Sequence, residues 1–85
     1  MTAVNIYELE PRFDDAKSFY GKAKVTSYAN TKTLKSYSTD VARITHGIAK
    51  VNGTYSDTTL RHIKEFLKQE GFKAESKKQI IQDYV

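Results

Sequence analysis

The apolar residues of this chain keep a period of two up to Tyr55 and a helical period after it, and few folds accommodate both. Residues 19–29 alternate, with Ala23, Val25 and Ser27 on one parity and Lys22, Lys24, Thr26 and Tyr28 on the other. That is the pattern of a half-buried strand. Residues 3–9 are rich in branched and aromatic types, with Val4 and Ile6 on one parity and Tyr7 and Leu9 on the other, and this strand stops before Pro11. Residues 10–18 are polar and read as a loop in which Phe13 folds back as an anchor. Asn30 with Thr31 supplies a turn into a β-prone run over residues 32–45. Inside that run the parity slips: Leu34 and Ile44 share one phase, Tyr37 and Val41 the other, so a bulge or bend is expected at residues 38–40. Two dipeptides then compete for the next hairpin turn, His46-Gly47 and Asn52-Gly53. Asn-Gly is the stronger turn signal in general, but a turn at His46-Gly47 leaves a full strand behind it, and we favour it, with the strand over residues 48–55.

After Tyr55 the spacing becomes helical. Ser56 or Asp57 can cap, and Thr59, Leu60, Ile63, Phe66 and Leu67 form one stripe. Gly71 is placed to end this helix in the left-handed conformation, with Phe72 set to contact Leu67 across the turn. The helix is expected over residues 57–70. Ser76 and Gln79 make a capping box for a short second helix over residues 77–84, its apolar side being Ile80, Ile81 and Tyr84. Strands followed by helices predict an α+β domain: a three- to four-stranded antiparallel sheet, one amphipathic helix packed on a sheet face, and a short C-terminal helix.

For these 85 residues one core is expected, spanning residues 1–85, with no second domain among them. The chain has no cysteine, so packing alone must hold that core. The formal charge of +4 is unevenly spread. Residues 1–15 carry a net −3, residues 16–50 a net +6 and residues 51–85 a net +1, counted from the Lys, Arg, Asp and Glu positions. A basic central block attracts polyanions, although lysines on a sheet also solvate it and discourage edge pairing. Residues 1–5 lack the charged-then-apolar pattern of a signal peptide, and no apolar run reaches the length of a membrane span, so no membrane association is expected and a cytoplasmic location is.

The chemistry-bearing residues are few. His46 stands before a turn glycine and His62 beside Phe66 at the margin of the apolar stripe, where a structural role is expected. Asp14-Asp15 lacks the multi-position loop of calcium sites. No phosphate-cradling glycine loop or nucleophile elbow is present. No catalytic residue, metal ligand or cofactor is therefore expected, and the chain is read as non-enzymatic. Two surfaces remain. Lys22, Lys24 and Tyr28 would lie near Lys35 and Tyr37 on an outer sheet face if the strands pair, an arrangement of cations and rings that suits single-stranded nucleic acid. Arg61, Lys64 and Lys68 form a basic stripe on the helix flank that could follow a phosphate backbone. A protein-interaction module is the other class, since tyrosine offers amphipathic contact area at low entropic cost. Oligomeric state is open at this level.

Four segments together resemble a known family: Ser18-Phe19-Tyr20-Gly21-Lys22-Ala23, Leu34-Lys35-Ser36-Tyr37-Ser38-Thr39-Asp40-Val41-Ala42, Tyr55-Ser56-Asp57-Thr58-Thr59-Leu60-Arg61-His62-Ile63-Lys64-Glu65-Phe66-Leu67, and Gln69-Glu70-Gly71-Phe72. Their order and spacing are similar to a small uncharacterised domain family of phages and plasmids of Gram-positive bacteria, over residues 6–84. The resemblance implies an accessory protein of a mobile element acting in the bacterial cytoplasm. It implies as partner a host or element-encoded protein, including inhibition of a host defence system, or else the element's own DNA. It brings no catalytic residue or cofactor. For Gly21, Thr59 and His62, two accounts stay open: backbone geometry and helix-to-sheet attachment, or a shared binding surface.

Overall fold

The computed structural model describes residues 4–13, 19, 21–52 and 57–85. It is an α+β fold in which five antiparallel strands form a sheet in the order of the chain: β1 (Asn5–Glu8), β2 (Ala23–Tyr28), β3 (Thr31–Ser36), β4 (Thr39–Thr45) and β5 (Ile48–Val51). Two helices follow, α1 (Asp57–Gln69) and α2 (Lys77–Tyr84). The helices cover one sheet face, and between them and the sheet lies a core that includes Leu9, Phe19, Val25, Leu34, Ile63, Phe66 and Ile80.

The alternation of β2 holds as read: Ala23 and Val25 are buried and Lys24 and Tyr28 exposed. The strand starts later than residue 19, because Gly21 takes a φ of +74° and the Lys22 amide closes a turn on the Phe19 carbonyl at 3.0 Å. The run over residues 32–45 is not one strand but two, which raises the sheet from the expected three or four strands to five. Tyr37 and Ser38 form a two-residue turn in which Tyr37 adopts a φ of +57°, a conformation no glycine announces. The expected bulge also exists, one residue beyond the segment foreseen. Leu34 faces Ala42 and Lys35 faces Asp40, so Val41 is the extra residue on β4. Val41 and Ala42 are consequently both buried, and the parity slip is absorbed there.

The β2–β3 turn consists of Ala29 and Asn30, one residue earlier than expected, and Thr31 already pairs with Tyr28. The β4–β5 turn is His46-Gly47, with φ of +51° and +79°, as favoured from the sequence. β5 ends at Val51, short of the expected residue 55, and the Asn52 amide donates to the Val41 carbonyl at 3.0 Å. Gly53 and the proposed cap Ser56 lie outside the described residues, as do Asp14 and Asp15.

Both helices fall where the periodicity put them. The end of α1 is a Schellman turn: Gly71 has a φ of +86°, its amide donates to the Lys68 carbonyl at 3.1 Å, and the Phe72 amide donates to the Leu67 carbonyl at 2.8 Å. At the start of α2 the Ser76 hydroxyl accepts from the Gln79 amide at 3.2 Å, while the Gln79 carbonyl Oε1 accepts from the Glu75 amide rather than from Ser76. Ile80 enters the core, and Tyr84 packs edge-on to Phe72 with its hydroxyl donating to the Lys73 carbonyl. Ile81, expected on that side, is exposed instead. The Phe13 ring is also exposed, at 60%, and does not anchor its loop. The backbone does so: the Phe13 amide donates to Glu65 Oε1 at 2.8 Å. Among the described residues, no helix is long and apolar enough to cross a membrane.

Candidate functional site

With both helices on one side, the other face of the sheet is open, and strand register fixes what it displays. Pairing of Glu8 with Lys24, Lys24 with Lys35 and Lys35 with Asp40 makes one row across four strands. The next row runs Ile6, Thr26, Thr33, Arg43, Lys50. A third holds Tyr28, Thr31, Thr45 and Ile48. Two pairs of like charge therefore stand directly opposite each other, Lys24 with Lys35 and Arg43 with Lys50. Placing like charges opposite is unfavourable by about a few tenths of a kcal/mol to 1 kcal/mol. Glu8 and Asp40 flank the first pair, but the Arg43–Lys50 row contains no acid. None of these four cations makes an ion pair within 4.0 Å among the described residues. Arg43, Thr45, His46, Ile48, Lys50 and Asn52 line an open groove of about 480 Å³ along β4 and β5. Large apolar side chains are also displayed on this face: Ile6 is 64% exposed, Ile48 72% and Tyr28 52%.

The residues expected on one sheet surface are only partly brought together. Lys24, Tyr28 and Lys35 share the open face, with Tyr28 at the far end of β2 from the lysine pair. Lys22 and Tyr37 leave it. The Tyr37 amide donates to the Lys22 carbonyl at 2.7 Å, and Lys22 Nζ lies 5.7 Å from the Tyr37 ring centroid, a cation–π contact at the sheet's end. The two tyrosines thus do not form a stacking platform. Arg61, Lys64 and Lys68 lie on α1, in the helical layer on the opposite side of the sheet, so the two basic surfaces face away from each other. Arg61 is exposed, whereas Lys64 and Lys68 are half-buried.

A polar cluster sits inside the core, where sequence reasoning placed only the margin of a stripe. His62 is 2% exposed, its Nδ1 lies 2.8 Å from Ser36 Oγ, and Ser36 Oγ donates to Thr59 Oγ1 at 3.2 Å. The Phe19 ring meets His62 edge-on at a centroid distance of 4.6 Å. A serine hydroxyl on a histidine nitrogen is also the start of a hydrolase site, but here both side chains are closed off from solvent, and the contact ties α1 to β3. This supports helix-to-sheet attachment as the role of Thr59 and His62. Glu65 is likewise buried, accepting from the Phe13 amide and from Gln69 Nε2, while Gln69 Nε2 also reaches the Glu10 carbonyl at 2.6 Å. No group of three or more His, Asp or Glu residues suited to a metal ion occurs among the described residues.

Arg43, Lys50, Ile6 and Ile48 were not singled out from the sequence as surface residues. Once the turn is fixed at His46-Gly47, antiparallel pairing sets 45 opposite 48 and 43 opposite 50, so half of this site could have been read from that turn.

DUF8033, a family of unknown function, has a model that matches residues 7–83. The chain belongs to this family. The match takes in the second half of β1, all of β2 to β5 and α1, and α2 up to its last residue, so the core cluster and the open face apart from Ile6 lie within the matched residues. No curated protein and no solved structure matches the chain.

Proposed function

We propose that this chain is a non-enzymatic binding module that docks a partner protein on the open face of its sheet. The observation that carries this reading is the mixed character of that face: cations opposite one another with no ion pair among the described residues, acids at one end, and exposed Ile6, Ile48 and Tyr28 among threonines. An apolar contact area interspersed with charges of both signs suits a protein partner, with carboxylates opposite Arg43 and Lys50. Glu8 and Asp40 beside the lysine pair work against a phosphate backbone, and the separation of Tyr28 from Tyr37 removes the base-stacking platform. In the mobile-element setting implied by the resemblance, the partner we propose is a cytoplasmic host protein, a component of a defence system among them.

Pull-down from nuclease-treated host lysate tests this with three proteins: the natural chain, a face variant (Arg43→Glu, Lys50→Glu) and a helix variant (Lys64→Glu, Lys68→Glu). The expected result is one protein retained by the natural chain and the helix variant and lost by the face variant. The reading fails if nothing is retained, or if the face variant retains it equally.

The Arg43–Lys50 row, free of acids, supports a second reading as a nucleic-acid binder. Binding to generic single- or double-stranded DNA or RNA at about 50 mM salt, falling steeply as salt rises, would favour it, because neutralised phosphates release counterions.

A further inference from the structure

The two edges of the sheet differ. β5 has α2 packed alongside it and carries Lys50, both devices that keep another strand from adding. β1 has neither a lysine nor a proline, and all four of its residues are exposed. The Leu9 amide donates to the Ala23 carbonyl at 2.9 Å, which continues the β1–β2 register and marks Leu9, Tyr7 and Asn5 as the residues bonded to β2. By the alternation of an antiparallel ladder, the N–H and C=O groups of Val4, Ile6 and Glu8 point away from the sheet. The side chains add to this. Val4 is 56% exposed and, by extension of the register, stands beside the exposed Tyr28, with Ile6 next along the same face.

We propose that β1 is the pairing site for a second copy of this chain, joined antiparallel about a two-fold axis through Ile6. The occupant follows from the strand's self-complementarity. A two-fold perpendicular to the sheet sets Ile6 opposite the partner's Ile6, Val4 opposite the partner's Glu8, and Asn5 opposite the partner's Tyr7. All three outward-pointing residues then pair, each within its own parity, so every side chain keeps its face. Val4, Ile6 and Tyr28 of the two copies close into one apolar cluster across the axis, and no like charges meet. Two acids in residues 4–10 and no base mean that the edge offers nothing to a nucleic acid. The product is one continuous ten-stranded sheet with both open faces on the same side. A single strand pair is smaller than the about 1,200 Å² of a stable standard interface, so the dimer is weak and concentration-dependent. This inference does not rest on the proposed function and survives its failure.

Sedimentation equilibrium of the full chain from about 10 µM to about 1 mM, with amide hydrogen exchange at both ends of that range, tests it. The expected outcome is a mass rising from 9.7 kDa toward twice that value, with exchange at Ile6 and Glu8 slowing about tenfold or more at the high concentration while Tyr7 stays unchanged. Ile6→Lys is expected to keep the mass at that of the monomer with an unaltered circular dichroism spectrum, and Ile48→Lys to leave association intact. A monomer at every concentration overturns the proposal. So does association that Ile6→Lys fails to weaken, or that leaves the Ile6 and Glu8 amides unprotected.

Discussion

Ser36 shows how one small side chain can couple the two layers of this molecule. Its position on the inner parity of β3, two residues after Leu34, was legible from the alternation, and so was the place of His62 at the margin of the helical stripe. Their meeting was not, because it depends on where α1 crosses the sheet. Replacing Ser36 by alanine removes a donor and acceptor from a buried site, and takes one partner each from His62 Nδ1 and Thr59 Oγ1. Ser36→Ala is expected to cost about 1–3 kcal/mol in urea unfolding. A loss below about 0.5 kcal/mol would show that the contact contributes little to holding α1 on the sheet. Glu65 was illegible for a related reason. Beside Lys64 and Lys68 it looks like a solvated helix residue, but an amide 52 residues earlier in the chain, that of Phe13, comes down on it. Side-chain polarity is local information, whereas burial of a carboxylate under a distant loop is not.

At the scale of elements, the helices were readable because each carries its own start, stripe and stop, while the hairpins were readable only where glycine marked them. All three two-residue turns of the meander put their first residue in the left-handed region: Ala29 at φ +54°, Tyr37 at +57° and His46 at +51°. Only His46 is followed by glycine, and only that turn was placed correctly. At Tyr37 the ring's contacts with Lys22 and, at 6.0 Å, with His62 offset some of the backbone strain. Ala29 has no comparable ring to pack, and an L-residue in this conformation is strained by about 1–2 kcal/mol. Glycine relieves that strain but loosens the unfolded chain by about 0.4–1 kcal/mol. Ala29→Gly is therefore expected to stabilise the protein by about 0.5 kcal/mol, seen as a higher midpoint in thermal or urea unfolding. A lowered midpoint would mean that Ala29 makes a favourable contact worth more than the strain. The bulge at Val41 escaped detection at its true position because the unannounced turn at Tyr37 shifted the apparent phase of everything after it.

For the molecule as a whole, the sequence showed that the charge is concentrated in residues 16–50 but not that the meander turns part of it toward the helices. Lys24, Lys35 and Arg43 lie on the open face, whereas Lys32, on the opposite parity of β3, lies on the helix side and pairs with Glu70 at the end of α1, Nζ to Oε1 at 2.8 Å. That contact is the one ion pair joining sheet to helix among those resolved between described residues. The hydrogen bond to Glu70 raises the Lys32 ammonium above its ordinary 10.5, against an opposing effect of burial, with the charges of Glu70 and Tyr7 adding to the rise. A group whose folded value is raised stabilises the fold fully below its unfolded value and loses that contribution as the pH climbs through the folded one. The window is thus alkaline, above 10.5. Because the Lys32 side chain is 37% exposed, solvent screening limits the contribution to about 1 kcal/mol or less. Measured against Lys32→Met, which cancels the titration of the tyrosines and other lysines, the natural chain is expected to be more stable at about pH 9. The difference is expected to shrink as the pH climbs above 10.5, and to be smaller in about 1 M salt at the lower pH. A difference that persists unchanged into that alkaline range would mean that Lys32 holds α1 through its aliphatic stem rather than its charge, and that the two layers meet here by packing alone.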